Sequence, residues 1–268
     1  MVKGLYTAYT GMVNEQRRLD VLSNNLANST TTGYKKEGMV AQSFNDRLAI
    51  KIKDTSVPGK MPRGIGDITF GAKVGETYTN WDQGSIQITD KKSDLALSGN
   101  GFFAIEFTNK AGNTSIMYTR DGNYTVNRDG YFVTVDGDYL LNQEGAISST
   151  TGEQSYIRIN PNLDYEIDAQ GRIFQNNEQV GQIGVVDFDN YDYMEKYGEN
   201  LYTLTDGGNV IEAPNTEVLQ GCLEASNVNV VDEMVNMIQI ARAYEAGQKM
   251  IQTVDSSLQI AANQIGKV

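Results

Sequence analysis

The sequence of 268 residues contains no histidine and a single cysteine, Cys222. The missing histidine excludes Ser-His-Asp and Cys-His catalysis, His-ligated zinc or haem, and an imidazole switch near neutral pH. The lone cysteine cannot form a disulfide within the chain, and no Cys-x-x-Cys pair exists for a structural zinc or a redox site. We therefore expect no metal site, no cofactor and no catalytic residues.

Basic residues and long apolar runs are also scarce. There are 22 Lys and Arg against 34 Asp and Glu, which gives a net charge of -12. Such a chain repels phosphate backbones at long range, so nucleic acid is not an expected partner. No apolar run approaches the ~20 residues that span a bilayer, so direct membrane insertion is not expected. The first residues form no signal-peptide core, which leaves the cytoplasm or a route that reads no cleavable signal.

The many carboxylates raise the alternative of an acidic hydrolase. That hypothesis needs two carboxyl groups held ~5–10 Å apart in a cleft, whereas three aspartates between residues 121 and 136 directly precede glycine and are explained by turns. These are Asp121, Asp129 and Asp136. The run that starts at Asp187 begins like an EF-hand, but Asp192 stands where glycine is needed and Gly198 where glutamate is needed. The motifs therefore leave at most weak surface calcium binding and do not predict an enzyme.

Residues 1–28 predict a helix with a narrow apolar seam. Its seam residues recur every seven positions, as in a coiled coil: Leu5, Met12, Leu19 and Leu26. The helix is expected to stop at residues 28–33, where local hydrogen-bonding side chains, three threonines and a glycine follow one another.

The C-terminal end repeats this pattern over five heptads. The seam residues there are Met237, Tyr244, Ile251, Leu258 and Ile265. Ser226 or Asn227 is the expected N-cap, and two acidic residues follow in the early turns, where the helix dipole favours them. Two such seams predict that the terminal helices pair, although an amphipathic helix can also simply pack on a globular core.

The middle of the chain, 39–222, has the two-residue period and the turn residues of a β region. Asp-Gly pairs separate segments 123–127, 131–135 and 138–141, which is typical of a tight antiparallel meander. Segment 39–66, with Pro58, Gly59 and Pro62, indicates an extended arm. Further strands are predicted at 101–107, 157–159, 172–174 and 182–188.

The predicted fold class is therefore α+β. A discontinuous coiled-coil domain formed by the paired N- and C-terminal helices would comprise residues 1–38 plus 223–268. Residues 39–94 would form an extended arm and β linker, and residues 95–222 an inserted, mainly antiparallel β domain.

Motifs at both ends and in the middle of the chain resemble those of the bacterial flagellar basal-body rod and hook axial proteins. Segments 98–103 and 118–122 are similar to the β-domain motifs of that family, and segments 224–229 and 233–245 to its C-terminal helix. The N-terminal signature is matched by Asn24, Asn25, Leu26, Ala27 and Asn28, then Thr31, then Gly33, Tyr34 and Lys35.

The resemblance implies a non-catalytic axial subunit that polymerises with copies of itself and with neighbouring rod and hook subunits. It further implies passage through the flagellar type III export apparatus and a location in the flagellum basal body, outside the cytoplasmic membrane. Segments 226–229 and 235–239 are most similar to the distal rod protein. A proximal rod or hook-type subunit is the alternative within the family, and a secreted coiled-coil adhesin is the alternative outside it.

The residues expected at subunit interfaces belong to the seams and to the two terminal motifs. Asn28 can satisfy backbone groups where the helix unwinds, and Gly33 supplies a permissive backbone for the exit turn. Tyr34 and Lys35 are expected to pack and pair against an adjacent subunit, or else to cap their own helix. The full set is Leu5, Met12, Leu19, Leu26, Asn24, Asn25, Asn28, Thr31, Gly33, Tyr34, Lys35, Ser226, Asn227, Val228, Met237, Tyr244, Ile251, Leu258 and Ile265.

Overall fold

The computed structural model describes residues 2–51, 63–110, 112–148, 152–198 and 200–265. The fold class is α+β, as predicted, with long helices near both ends of the chain and antiparallel strands between them. Pro58, Gly59 and Pro62 of the predicted arm lie outside the described residues. Among the described residues, no helix combines the length and the apolar character needed to cross a membrane.

The chain divides into two compact units. The first, here called the helical unit, comprises Met1–Ala27, Glu37–Asn80 and Asn229–Val268. The second, the β unit, comprises Asn28–Lys36 and Trp81–Val228. The domain boundaries expected from the sequence stay a prediction.

The helices are α1 (Val2–Ala27), α2 (Gln143–Ser148) and α3 (Val230–Ile260), which continues as a π-helical turn, Ala261–Ile265; short 3-10 turns lie at Glu153–Ser155 and Tyr191–Tyr193. The strands are β1 (Glu37–Ser43), β2 (Arg47–Lys51), β3 (Arg63–Ile68), β4 (Ala72–Thr79), β5 (Ile86–Ile88), β6 (Leu95–Ser98), β7 (Phe102–Thr108), β8 (Thr114–Thr119), β9 (Thr125–Val126), β10 (Phe132–Val133), β11 (Tyr139–Leu140), β12 (Glu166–Ile167), β13 (Arg172–Gln175), β14 (Glu178–Gln182), β15 (Val185–Phe188), β16 (Met194–Tyr197), β17 (Leu201–Leu204), β18 (Val210–Glu212), β19 (Glu217–Gln220) and β20 (Cys222–Glu224).

In the helical unit, α1 contacts α3 and also the arm strands β1 and β4. The arm consists of two antiparallel pairs, β1 with β4 and β2 with β3. Gly247 of α3 lies against Met12 of α1, where an added Cβ would come within 2.7 Å of the Met12 Cγ. A glycine at this position therefore permits a close approach of the two helices.

The N-cap of α3 is Asn229, later in the chain than either residue expected from the sequence. Its side chain accepts a hydrogen bond from the backbone N–H of Val231 at 3.1 Å. Asn227 is instead engaged with other backbone groups, because its side-chain oxygen accepts from the N–H of Lys36. The acidic residues Asp232 and Glu233 lie in the first turn, as predicted.

The β unit is built around one antiparallel sheet that joins nine strands of the described chain. Its order is β16-β17-β8-β7-β11-β10-β9, and β15 pairs with both β7 and β18. The predicted meander is present as β9, β10 and β11, with turns closed by the N–H groups of Gly130 and Gly137. Apolar side chains of this sheet form two buried clusters, one around Phe103 and Ile105 and one around Phe102 and Tyr202.

Three expectations about the β region are corrected. Segment 157–159 forms only an isolated bridge, between Arg158 and Tyr131, rather than a strand. The predicted strand 182–188 is split into β14 and β15 near Gly184, where an added Cβ would meet Ala146 and backbone carbonyls. Asp121 forms a local turn, in which its side chain accepts from the N–H of Asn123, but this turn does not close a hairpin, because β8 pairs with β7 and β17 and β9 pairs with β10.

Candidate functional site

Segments that carry three of the sequence motifs meet inside the β unit. Residues 32–36 follow α1, residues 119–121 end or follow β8, and residues 224–228 end or follow β20. Together with residues 81–84 they surround the side chain of Glu224, which is 1% exposed. We call this set of four segments the motif junction.

Glu224 binds two cationic side chains. The Lys35 Nζ donates to its Oε1 at 2.6 Å, and the Arg120 Nη1 donates to its Oε2 at 3.3 Å. The backbone N–H of Gly84 adds a third hydrogen bond, to Oε1 at 2.8 Å. Lys35 and Arg120 are themselves 1% and 4% exposed. One carboxylate therefore connects three distant parts of the chain, and charge-assisted hydrogen bonds of this kind are the stronger class.

Burial dominates the electrostatics of this cluster. Desolvation lowers the pKa of Lys35, the charge and hydrogen bond of Glu224 oppose that shift, and the nearby Arg120 adds to it. The Lys35 amine also donates to the backbone carbonyl of Asp82 at 2.9 Å. Since two buried cations share one buried carboxylate, removing that carboxylate would leave both without their counter-charge.

Gly33 and Tyr34 bring the exit segment of α1 onto this cluster. Gly33 has a φ of +68°, its N–H donates to the Glu224 carbonyl at 2.9 Å, and an added Cβ would overlap the backbone of Arg120 and Asp121. The Tyr34 side chain is fully buried, and the Lys196 Nζ lies 4.1 Å from the centre of its ring. The exit turn therefore requires glycine for both its conformation and its space.

Asp121 fixes the neighbouring part of the segment. Its Oδ1 accepts from the Thr32 hydroxyl at 2.7 Å and from the Asn123 N–H at 3.1 Å, and its Oδ2 accepts from the Asn200 side chain at 3.0 Å. Burial raises the pKa of this carboxyl, while these hydrogen bonds oppose the shift. Asp121 was expected only at a turn, and its contacts with Thr32 and Asn200 were not predicted, because nothing local shows which partners a polar side chain finds across the fold.

Two asparagines of the terminal motifs hydrogen-bond to the main chain within their own units. Asn227 accepts from the Lys36 N–H at 2.7 Å and donates to the Asp82 carbonyl at 3.0 Å. In the helical unit, Asn25 donates to the Glu37 carbonyl at 2.8 Å and accepts from the Glu37 N–H at 3.0 Å. Each amide thus satisfies a donor and an acceptor of the main chain, as a strand partner would.

The remaining motif residues have local partners or are exposed. Asn28 is buried and accepts from the Thr31 hydroxyl at 3.3 Å, while the Ser226 hydroxyl accepts from the N–H of Val228, which is also buried. Asn24 is exposed. Of the predicted set, the structure brings Gly33, Tyr34, Lys35, Ser226, Asn227 and Val228 into the motif junction.

The predicted seam residues lie along α1 and α3 rather than at the junction. Those of α1 are half-buried, as are Met237, Tyr244 and Ile251, whereas Leu258 is 43% exposed. The side chain of Ile265 lies outside the described residues. The most buried positions of α1 are polar, with Thr10, Asn14 and Asn25 among them.

A second apolar surface on α3 was not predicted from the sequence. Val231, Met234, Val235 and Ile238 are 67%, 49%, 48% and 54% exposed, and their spacing places them on one face of the helix. We call these four residues the apolar stripe. A search for the i, i+3, i+4, i+7 pattern would have found it, but the seven-residue seam that begins at Met237 dominates the same region.

The junction holds its segments together but has no arrangement for chemistry. Among the described residues, no three His, Cys, Asp or Glu side chains are grouped as metal ligands. The Glu224 carboxylate is fully engaged by donors from its own chain. The arrangement is that of a structural contact.

Comparisons with known proteins agree with a structural role. Residues 5–35 match the family described as Flagella basal body rod protein, residues 96–177 the Flagellar hook protein FlgE/F/G D1 domain, and residues 219–265 the Flagellar basal body rod FlgEFG protein C-terminal family.

Full-length relatives include two proteins named flagellar basal-body rod protein FlgG. The one from Buchnera aphidicola subsp. Schizaphis graminum is 34% identical over 97% of this chain and 98% of its own length. The one from Bacillus subtilis is 34% identical over 98% and 99%, respectively. The flagellar basal-body rod protein FlgF of Caulobacter vibrioides is 31% identical over the whole of both chains. On this similarity, the chain belongs to the flagellar basal-body rod protein family.

Proposed function

We propose that the chain is a structural subunit of the distal rod, which polymerises into the shaft that transmits torque from the flagellar motor to the hook. The observation that carries this proposal is the full-length similarity to FlgG proteins at 34% identity. The subunit is not an enzyme, and its place is the flagellum basal body. The full-length similarity to FlgF favours a FlgF-type rod subunit as the second candidate.

Within the polymer, α1 and α3 would pair as a coiled coil in the inner layer. Their mutual contact, the half-buried face of α3 and the position of Gly247 against Met12 support this arrangement. The predicted seam residues would then hold the two helices together and to neighbouring subunits.

The apolar stripe would provide a contact between subunits. Four large apolar side chains on one helix face are about half exposed in the single chain, and covering them removes apolar surface from water at ~25 cal/mol per Å². Exposed apolar patches of this kind commonly mark interaction surfaces.

The motif junction would assist assembly indirectly. Tyr34 and Lys35 are 0% and 1% exposed and have partners in their own chain, so a direct contact with a neighbouring subunit would require them to leave those partners. Their proposed role is to hold segment 32–36 against residues 224–228 of the same unit. The same role is proposed for Gly33 and Asn227.

Passage through the flagellar type III export apparatus follows from family membership and remains part of the proposal. A chain with one cysteine suits transport in the unfolded state, because no disulfide can form within it. Secretion of the chain should stop in a strain whose flagellar export apparatus is inactive.

The deciding experiment is the purification of hook–basal bodies from the source bacterium, with mass spectrometry and immunogold labelling of this chain. A stoichiometric amount of the chain, with label confined to the shaft below the hook, is the expected result. Label at the motor-proximal end would favour the FlgF-type position. Absence from clean basal bodies would contradict the rod assignment and favour a secreted coiled-coil binding protein.

A further inference from the structure

An open cavity of about 550 Å³ lies in the β unit, away from the motif junction. Its lining includes the side chains of Arg128 and Arg158 together with the apolar residues Pro161 and Val180. Both arginines are exposed. The chain has a net charge of -12, so a cavity that presents two arginines is more positively charged than the average surface.

Neither arginine is neutralised within the described part of the chain. The ion pairs found there involve other cations, and Asp129, which also lines the cavity, is not paired with either guanidinium. The Arg158 guanidinium lies 5.7 Å from the centre of the Tyr131 ring. Stacking on an aromatic ring restrains the guanidinium while leaving its N–H groups available.

The walls of the cavity are fixed by hydrogen bonds. The N–H of Ile159 donates to the Gly130 carbonyl at 2.8 Å, and Gly130, with a φ of +88°, has no room for a Cβ against the Ile159 carbonyl. The buried Gln175 accepts from the Asn160 N–H at 3.0 Å and donates to the Asn160 carbonyl at 3.0 Å. The cavity is therefore preformed, which lowers the ordering cost of binding a partner.

We infer that this cavity binds a carboxylate-bearing peptide segment of a neighbouring copy of the chain, an inference that rests on the proposed function. Guanidinium groups match carboxylates with two parallel hydrogen bonds, and the rim provided by Pro161 and Val180 suits an apolar neighbour of the acidic residue. Subunits that each carry a charge of -12 repel one another in a polymer. Two arginines without an acidic partner in the described part of their own chain would offset this repulsion locally by binding an acidic surface of the next copy.

The test compares the full-length chain with the double variant Arg128→Ser/Arg158→Ser. Lys73→Ser/Lys110→Ser is the matched control, because it removes two exposed positive charges that do not line the cavity. The probe is a fluorescent hexaglutamate peptide, with hexaglutamine as the neutral comparison. Binding is measured by anisotropy at low and high salt, and circular dichroism checks that both variants fold. In a second measurement, each variant competes with the wild-type chain for incorporation into basal bodies.

The wild-type chain and the control should bind hexaglutamate, and the arginine variant should bind about tenfold more weakly or worse. That variant should also be incorporated less well than the control. If the wild-type chain does not bind hexaglutamate, or if the control loses as much affinity as the arginine variant, the cavity is not a carboxylate-binding site. If the wild-type chain binds hexaglutamate but the arginine variant is incorporated as well as the control, the occupant is not a neighbouring copy, and another acidic protein is indicated. Because peptide binding needs no polymer, it tests the cavity even if the rod assignment fails.

Discussion

The Lys35 amine lies 2.6 Å from the Glu224 carboxylate although 189 residues separate the two in the sequence. Both side chains are 1% exposed, so this contact is shielded from solvent and only weakly screened by salt. It joins the N-terminal motif to the C-terminal one, two segments that the sequence analysis could associate only through a family resemblance.

Glu224→Gln should be strongly destabilising, because it leaves the buried Lys35 and Arg120 without a counter-charge. Breaking a buried ion pair typically costs ~3–5 kcal/mol. The free energy of unfolding from urea titration measures the loss. The matched control is Lys92→Met, which breaks the exposed pair with Asp164 and should change stability far less, because exposed ion pairs contribute little. Equal losses of unfolding free energy in the two variants would show that the buried cluster stabilises the chain no more than an exposed ion pair does.

Gly33→Ala should destabilise the chain much more than Gly137→Ala. Both glycines have positive φ, +68° and +97°, so each substitution should cost ~1–2 kcal/mol in backbone strain. An added Cβ meets nothing within 4 Å at Gly137, whereas at Gly33 it overlaps the backbone of Arg120 and Asp121. Thermal unfolding of the two variants separates the steric cost from the conformational one. A similar decrease of the unfolding temperature in both variants would mean that the backbone of the junction can move to accept a side chain at position 33 without loss of stability.

The contribution of Lys35 to stability should increase as the pH rises from neutral toward its ordinary pKa of 10.5. Burial lowers the pKa of Lys35 in the folded chain, so the folded state releases this proton at a lower pH than the unfolded state does. Between the two pKa values the unfolded state binds more protons, and raising the pH then favours folding. Glu224 and Asp82 oppose the shift, and Arg120 adds to it.

The measurement is the difference in unfolding free energy between the wild-type chain and Lys35→Met, followed from pH 7 to 10. Other titrating groups contribute to both proteins and cancel in the difference. The unfolding free energy of the wild type should rise relative to that of Lys35→Met as the pH approaches 10. A constant or opposite difference would mean that Lys35 is not desolvated in the folded chain.

Ile238→Asp should block assembly without unfolding the subunit. The side chain is 54% exposed in the single chain, and surface substitutions usually change stability by no more than ~0.5 kcal/mol. A charge within the apolar stripe would instead have to be buried in the polymer. Asn236→Asp adds the same charge to an exposed position of α3 that lies off the stripe and should be tolerated. Incorporation into basal bodies, measured by immunogold labelling, distinguishes the two variants. Equal incorporation would show that the apolar stripe is not part of a contact between subunits.

The sequence was most informative where a repeating pattern defines an element. Heptad spacing located α1 and α3, and Asp-Gly pairs located the meander β9–β11, because both signals are local. It was least informative at the motif junction. Glu224 and Arg120 lie in recognisable motifs, yet their burial and pairing depend on contacts across 104 residues, which no local pattern encodes. Asp121 was assigned to a turn for the same reason.

The engagement of residues 32–36 with residues 224–227 has a kinetic consequence. Contacts between segments this far apart in the sequence carry a loop-closure cost that grows slowly with their separation, and such long-range contacts are typical of slowly folding chains. The N-terminal motif has no Glu224 or Asn227 to dock against until about five-sixths of the chain is available, counting to residue 224 of 268. A subunit that is exported end-first, as proposed, would complete its exit turn only after both of these segments have arrived, so the junction would couple the final shape of the subunit to the completeness of its delivery.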